Sequence, residues 1–184
     1  MVFSFSLVAV KYQTILYFRL SSRTQKILSS IHAIIVGANI FLFFSLSLID
    51  ANSISLSSWV KILGALLFLS GTLILSWAAF LLKKALVHPQ PADQLIKSGP
   101  FRWVRHPMYL GGIVGAFGFS LASSSMLAII YSFLQVVVLY ALAVMEELDL
   151  RNRFGAQYEI YSRETPRLFP SLRIFRKQRG KLGA

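Results

Sequence analysis

The chain has 184 residues, of which 55% are hydrophobic and only 14% are charged. Ordinary soluble domains have roughly 25% charged residues, so the composition excludes a typical soluble globular protein and, more firmly, a disordered chain. The 19 basic and 7 acidic residues give a formal net charge of +12. The basic residues lie between long apolar segments, which is typical of a membrane protein rather than a nucleic-acid-binding one. The chain has no cysteine, which excludes disulfides, thiolate metal sites and a cysteine nucleophile.

Five apolar segments are candidate membrane-spanning helices, each of which needs about 20 mostly apolar residues. In chain order they are 2–20, 27–49, 59–82, 108–122 and 126–145. The first carries Lys11 at its centre, at a cost of about 2.5–3.5 kcal/mol on insertion scales, so four spans with residues 1–20 on the membrane surface is the alternative. We therefore expect an all-α, polytopic integral membrane protein with about five transmembrane helices.

The basic residues predict how these spans are oriented. With five spans, every basic residue except Lys11 and Lys61 falls on one side of the membrane, and the loops 50–58 and 123–125 on the other side contain no Lys or Arg. The positive-inside rule then places the C-terminus in the cytoplasm and the N-terminus outside. The basic tail predicts contact with anionic lipid. A bacterial inner membrane and the endoplasmic reticulum both fit.

The last two spans are joined only by three serines, so they must be antiparallel neighbours that form a tight hairpin. Their other ends then meet on the basic side. We divide the chain accordingly into N-terminal transmembrane helices, residues 1–94, and a hairpin with a cytoplasmic helical C-terminal segment, residues 95–184.

The first of three motifs on the basic side covers residues 99–112. Pro107 is suited to the first position of a helix, so His106 would precede the helix, close to free N–H groups that favour a carboxylate or a phosphate. The alternative is a basic flank that obeys the positive-inside rule and contains an incidental histidine.

Glycines recur at helical spacing in the fourth span, at positions 111, 112, 115 and 118. Small residues three or four apart let membrane helices approach closely, and this is the interpretation for Gly115 and Gly118. Gly111 and Gly112 lie beside the motif, where they could instead let a ligand approach the backbone.

The second motif is the adjacent pair Glu146 and Glu147. Two acidic residues at the end of a membrane helix oppose the negative end of the helix dipole, and such a local violation points to function. A ligand with positive charge or hydroxyl groups would suit these carboxylates. The alternative is a solvated salt bridge with Arg151 or Arg153.

The third motif covers residues 153–170 and is read as a short amphipathic stretch. Tyr158 and Tyr161 would face the membrane, with the neighbouring arginines toward water or lipid phosphate. Within the bilayer, Asn39 and Gln135 predict hydrogen bonds between helices, and His32 predicts an interfacial position. His88 and His106 do not form a convincing metal site, because no third ligand has suitable spacing.

Together these motifs resemble the integral-membrane methyltransferases of the isoprenylcysteine carboxyl methyltransferase and phospholipid methyltransferase superfamily. The matching pieces occur in order over about residues 95–170: Gly99-Pro100-Phe101 leading to Arg105-His106-Pro107-Met108-Tyr109-x-Gly111-Gly112, then Glu146-Glu147, then Phe154-Gly155-x-x-Tyr158-x-x-Tyr161 leading to Pro166-Arg167-Leu168-Phe169-Pro170. The N-terminal spans add little to this resemblance.

The resemblance implies S-adenosyl-L-methionine as the cofactor, in a pocket that faces the cytoplasm. It implies these cofactor-binding residues: His106, Tyr109, Gly111, Gly112, Glu146, Glu147, Tyr158, Leu168, Phe169 and Pro170. Arg105 joins them because its guanidinium favours the carboxylate of the cofactor. The catalytic candidates are Arg163 and Arg167, which would bind a carboxylate or phosphate of the acceptor, and Glu147, which would take a proton from an amine acceptor.

The expected methyl acceptor is lipophilic, either an isoprenylcysteine-type carboxylate or a phospholipid-type amine. Two other functions stay open. A related group of membrane sterol reductases shares much of the C-terminal pattern and uses NADPH, although the acidic pair fits the methyltransferases better. A non-catalytic membrane protein that keeps the fold is the third possibility.

Overall fold

The structure, a computed structural model, describes residues 22–87 and 95–170. The expected first span 2–20, His88 and the basic tail from Arg173 lie outside these ranges. His32 lies within residues 22–87, but its side chain is outside the described part of the structure. The described residues form five α-helices and a short 3₁₀ helix: α1 Ser22–Ile49, α2 Ser58–Val87, the 3₁₀ helix Gly99–Arg102, α3 Pro107–Ser123, α4 Met126–Phe154 and α5 Ala156–Glu164.

Two of these helices are long and apolar enough to cross a membrane, over Ser58–Leu82 in α2 and Met126–Phe154 in α4. Only 22% of the most apolar window of each is buried within the protein, whereas the core helix of a soluble protein is mostly buried. Shorter apolar stretches cover Gly37–Ile49 of α1 and Pro107–Ser123, which is α3. The expected helical membrane architecture is confirmed in this coarse form, and the number of five spans stays a prediction.

The α3–α4 hairpin has the expected antiparallel arrangement. Pro107 is the first residue of α3 and His106 directly precedes it. Helix α3 ends at Ser123 and is followed by Ser124 in the left-handed conformation, with φ of 52°. The side chain of Ser125 then accepts a hydrogen bond from the Ala128 amide at 3.1 Å and caps α4. Across the hairpin, the buried hydroxyls of Ser120 and Ser132 lie 3.0 Å apart.

Helix α2 packs against α3 through glycines on both helices. A Cβ atom on Gly64 would lie 2.7 Å from the carbonyl oxygen of Gly118, and one on Gly71 would lie 2.6 Å from the carbonyl oxygen of Gly111. The packing role expected for Gly118 is therefore confirmed. Gly115 also lies at this contact, because its backbone occupies the space that a Gly71 side chain would need, although a Cβ on Gly115 itself would have room.

The two loops that lack basic residues lie together at one end of the hairpin. The amide of Asn52 donates to the carbonyl of Ser123 at 3.0 Å, and the amide of Ile54 donates to that of Ser124 at 3.2 Å. The Asp50 carboxylate accepts hydrogen bonds from the amide of Leu127 at 2.8 Å and from the hydroxyl of Ser53 at 2.8 Å. We call this the serine end of the hairpin.

The polar residues predicted to link helices do so. The Asn39 amide nitrogen of α1 donates to the hydroxyl of Tyr131 at 2.8 Å, and the Gln135 amide donates to the Asn39 oxygen at 3.0 Å. Helix α1 is thus attached to α4 by side-chain hydrogen bonds among apolar residues, as expected for membrane helices.

Candidate functional site

The opposite end of the hairpin brings the three sequence motifs together. His106 precedes α3, the acidic pair lies on α4, and Arg167 follows α5 along the chain. The prediction that the acidic pair ends its helix is wrong, because α4 continues to Phe154, about two turns further. The unfavourable helix-dipole argument therefore does not apply, and the reason these carboxylates lie here is the set of cations that surrounds them.

Glu147 is the centre of this cluster and has a side chain only 2% exposed. Arg167 forms a bidentate pair with it, from Nε to Oε1 at 2.7 Å and from Nη2 to Oε2 at 2.9 Å. Nη1 of Arg105 lies 2.8 Å from Oε2, and Nε2 of His106 lies 3.3 Å from Oε1. A buried charge is tolerated only when it is paired in this way. We call Arg105, His106, Glu146, Glu147 and Arg167 the charged cluster.

His106 bridges the two acidic residues. Its Nδ1 atom lies 3.3 Å from Oε2 of Glu146, and its Nε2 atom lies 3.3 Å from Oε1 of Glu147. A neutral imidazole carries only one N–H, so contacts of both ring nitrogens with carboxylates favour the imidazolium form. Burial lowers the pKa of His106, but hydrogen bonds with Glu146 and Glu147 outweigh it and raise the pKa above its ordinary value. The ring stacks on Tyr109 with centroids 5.4 Å apart.

The C-terminal segment is fixed to the start of α3 by its backbone. The amide of Arg105 donates to the carbonyl of Pro166 at 2.9 Å, and the amide of His106 donates to that of Arg167 at 3.1 Å. Leu168 is 2% exposed and packs with Tyr109 in an apolar cluster. These contacts direct Arg167 at Glu147, and the interaction with Glu147 raises the pKa of Arg167.

Helix α5 packs its tyrosines onto the same region. Tyr158 is fully buried and its hydroxyl accepts a hydrogen bond of 3.4 Å from Nη1 of Arg105. The Tyr161 hydroxyl donates to the carbonyl of Phe101 at 2.7 Å, and burial raises the pKa of both tyrosines. The expectation that these two rings face the membrane is wrong, because both are buried and their hydroxyls bond to Arg105 and to the backbone of Phe101.

Other predicted site residues are exposed or have a role in helix packing. Arg163, Phe169 and Pro170 are exposed. Gly111 belongs to the α2–α3 contact, where a Cβ would lie 2.7 Å from the Gly71 carbonyl oxygen, so packing accounts for its lack of a side chain and its contact with a cofactor stays a prediction. A Cβ on Gly112 would have only ordinary contacts, 3.9 Å or more away.

The alternative salt bridge for the acidic pair is also not observed. Arg151 pairs with Glu159 instead, at 3.1 Å on the surface. Sequence reasoning missed Tyr140, whose hydroxyl accepts a hydrogen bond of 2.7 Å from Nη1 of Arg167. Its spacing of seven residues before Glu147, which places both on one side of α4, is the signal that could have found it.

The chain belongs to the phospholipid methyltransferase family, whose model matches residues 59–157. This match runs from α2 to the start of α5 and includes four members of the charged cluster, whereas Arg167 lies beyond it. Membership of this family, together with the two long apolar helices, identifies a membrane protein.

Two curated relatives are similar over about half of the chain. One is the nickel-cobalt-cadmium resistance protein NccN of Alcaligenes xylosoxydans xylosoxydans, 29% identical over 47% of this chain and 41% of the relative. The other is the cobalt-zinc-cadmium resistance protein CzcN of Cupriavidus metallidurans, 30% identical over 46% of this chain and 39% of the relative. The match thus covers well under half the length of either relative. Within residues 22–87 and 95–170, no three His, Asp or Glu side chains are grouped so that they could hold a metal ion. No solved structure matches the chain significantly.

Proposed function

We propose that this protein is a membrane methyltransferase that uses S-adenosyl-L-methionine to methylate a lipid-like acceptor. The observation that carries the proposal is the meeting of three distant motifs in one buried charged cluster, within a chain of the phospholipid methyltransferase family. A cluster that only stabilised the fold would gain little from so many buried charges, since buried ion pairs often contribute no net stability.

The chemistry of the charged cluster fits the cofactor. S-adenosyl-L-methionine supplies an electrophilic methyl group on a sulfonium, and it also carries an amine, a carboxylate and ribose hydroxyls. The Nε atom of Arg105 is buried and has no hydrogen-bond partner among the described residues, so it is a donor that suits a carboxylate. A buried donor without a partner costs free energy, and a ligand would remove that cost.

The two adjacent carboxylates have different tasks in this proposal. Glu147 is engaged by three cationic side chains, so it organises Arg105, His106 and Arg167. Glu146 is more exposed, at 17% of its side chain, and pairs only with His106 among the described residues. We assign Glu146 to the amine or hydroxyl groups of the cofactor. We also assign to it the proton that an amine acceptor must lose, in place of Glu147, because Glu147 is already engaged by three cationic side chains.

Methyl transfer depends mainly on alignment of the acceptor with the methyl carbon. Within the charged cluster, Arg167 lies between Glu147 and Tyr140 on α4, where it would bind a carboxylate or phosphate of the acceptor. Arg163 is exposed and would act at most as an outer contact. We propose that the charged cluster faces the cytoplasm and the serine end faces outward. The positive-inside distribution supports this orientation.

Cofactor binding by the purified protein in detergent tests the proposal. We expect S-adenosyl-L-methionine and S-adenosyl-L-homocysteine to raise the unfolding temperature, and radiolabelled methyl groups to enter a lipid extract. Stabilisation by NADPH alone would indicate a reductase of the sterol type instead. Stabilisation by none of these compounds would favour a non-catalytic protein that keeps the fold.

A pair of variants locates the binding site. Glu146→Gln removes the charge assigned to the cofactor, and we expect its affinity to fall about tenfold, as for loss of a charge-assisted hydrogen bond. Glu159→Gln is the matched control, because it removes a carboxylate that is paired only on the surface. Equal affinities of both variants and the wild type would contradict the assignment of Glu146.

A further inference from the structure

Tyr140 links the charged cluster to the apolar surface of α4. Its hydroxyl lies 2.7 Å from Nη1 of Arg167, and the Arg167 guanidinium carbon lies 5.2 Å from the centre of its ring. Tyr140 therefore contacts Arg167 both as a hydrogen-bond acceptor and as an aromatic surface. Arg167 in turn binds Glu147, so one side chain joins a buried carboxylate to an exposed tyrosine.

Tyr140 lies on the membrane side of the charged cluster. Seven residues separate it from Glu147, which is about 10 Å along the helix axis toward the serine end. It is 47% exposed, and the residues one and two turns before it, Val137 and Phe133, are 66% and 61% exposed. In a membrane helix, side chains with this exposure face the acyl chains, so the Tyr140 hydroxyl is a polar group at the lipid-facing surface of the described helices.

Arg167 retains hydrogen-bonding capacity at this position. A guanidinium has five N–H donors, and three of them are used by Glu147 and Tyr140. The other two have no partner in the described parts of the chain, and the Arg167 side chain is 26% exposed. With His106 as an imidazolium, the charged cluster has three cations and two carboxylates, so it has one positive charge to offer an anion.

We propose that Tyr140 is a positioning residue, which holds Arg167 so that its two remaining N–H groups bind a carboxylate or phosphate of an amphiphile that arrives along the lipid-facing side of α4. This inference rests on the proposed function, in which that amphiphile is the methyl acceptor. Tyr140 fixes the angle of the guanidinium, and Glu147 supplies the opposing anchor. The site would select a ligand that has an anionic group at the depth of the Arg167–Tyr140 pair and an acyl chain that lies along α4.

The test measures binding of three probes to the full-length protein in nonionic detergent, by calorimetry. The probes are oleoyl lysophosphatidate, the neutral monooleoylglycerol and inorganic phosphate. We expect the wild type to bind lysophosphatidate more tightly than either of the others. Tyr140→Phe keeps the ring and removes the hydroxyl, and we expect it to weaken lysophosphatidate binding about threefold to tenfold.

Tyr131→Phe is the matched control on the same helix. It also removes one hydroxyl that accepts a hydrogen bond, in this case from Asn39 of α1, far from Arg167 in the hairpin. We expect it to leave lysophosphatidate binding unchanged. A merely structural role of Tyr140 would instead reduce binding of every ligand, including S-adenosyl-L-methionine.

Three results would overturn the inference: equal binding of lysophosphatidate by wild type and Tyr140→Phe, equal loss in Tyr131→Phe, or binding of inorganic phosphate as tight as that of lysophosphatidate. The last result would indicate a site for a free anion. The proposed function fails separately, when wild-type protein does not bind S-adenosyl-L-methionine. A Tyr140-dependent preference for lysophosphatidate would then still support the anionic amphiphile site.

Discussion

The two ends of the α3–α4 hairpin each hold a carboxylate, but in opposite ways. At the serine end, the hydrogen bonds that Asp50 accepts from the described residues come from neutral groups, among them the hydroxyls of Ser53 and Ser125 and the amide of Leu127. At the other end, Glu147 is held by two arginines and a histidine. Both carboxylates have partners, so hydrogen bonding alone does not distinguish a structural group from a functional one.

The two arrangements differ in the free energy that is needed to place their charges. Asp50 lies beside the first turn of α4, where amide groups and the positive end of the helix dipole stabilise an anion without any added cation. The charged cluster gathers its charges in a buried place, at a large desolvation cost that well-packed apolar residues would avoid. We infer that the serine end stabilises the hairpin, whereas the charged cluster serves ligand binding.

Replacing Glu147 should have the largest effect of any single change. Glu147→Gln removes the counter-charge shared by Arg105 and by the partly exposed Arg167, and breaking a buried ion pair costs about 3–5 kcal/mol in comparable cases. We expect a large fall in unfolding temperature and loss of S-adenosyl-L-methionine binding. Both are measured on the purified protein, the first by thermal unfolding.

Two companion variants sharpen this result. Glu159→Gln breaks only an exposed pair with Arg151, so we expect a change of about 1 kcal/mol or less. Asp50→Ala should lower the unfolding temperature yet leave cofactor affinity intact, because Asp50 lies at the serine end. Loss of cofactor binding in a folded Asp50→Ala protein would contradict the assignment of a structural role to the serine end and a binding role to the charged cluster.

How much of the fold and of the candidate site the sequence predicted depends on how far apart in the chain the interacting residues are. The hairpin and the start of α3 were predicted correctly, because a three-serine connection and a proline at the first helical position are local signals. The meeting of His106 with the acidic pair followed from the hairpin alone. The bidentate pair of Arg167 with Glu147 did not, because it depends on where the C-terminal segment pairs with the backbone of Arg105 and His106.

The errors have the same origin. Nothing in the sequence after Met145 ends the helix, so the dipole argument for the acidic pair assumed an end that the apolar pattern alone suggested. The sequence indicated a packing role for the glycines of α3. The role of Gly64 and Gly71 depends on the packing of α2 against α3, which the sequence does not predict. Tyr158 and Tyr161 were assigned to lipid because amphipathic periodicity does not say which partner covers the apolar face.

The α2–α3 contact runs between the two ends of the hairpin, so a steric clash in this contact should destabilise both ends. A Cβ on Gly118 would lie 2.7 Å from the Gly64 carbonyl oxygen, which is part of a backbone that cannot move alone. We expect Gly118→Ala to destabilise the protein by about 1–3 kcal/mol, as measured by unfolding in detergent. Gly115→Ala is the matched control on the same helix, because its nearest neighbour would be 3.9 Å away. Equal effects of both variants would contradict the close glycine contact.

The smallest expected effect is a difference in pH dependence between the two ends. The pKa of His106 is raised, because hydrogen bonds with Glu146 and Glu147 outweigh its burial, so its contribution to stability is complete below about pH 6.5 and is lost as pH rises through the raised value. The pKa of Asp50 is lowered, chiefly by the Leu127 amide, so its contribution is present above about pH 4 and is lost as pH falls through the lowered value.

Thermal unfolding between about pH 3 and pH 9 separates these two contributions, because each ionises in its own range. We expect His106→Gln to flatten the alkaline side of the profile, although Arg105 and Arg167 still face Glu147 in that variant. Asp50→Asn should make the acid side shallower and leave the alkaline side as it is. If His106→Gln altered only the acid side, the histidine would not be the imidazolium that both acidic residues hold, and the charged cluster would contain one cation fewer. Its surplus of positive charge, on which anion binding beside Tyr140 depends, would then disappear.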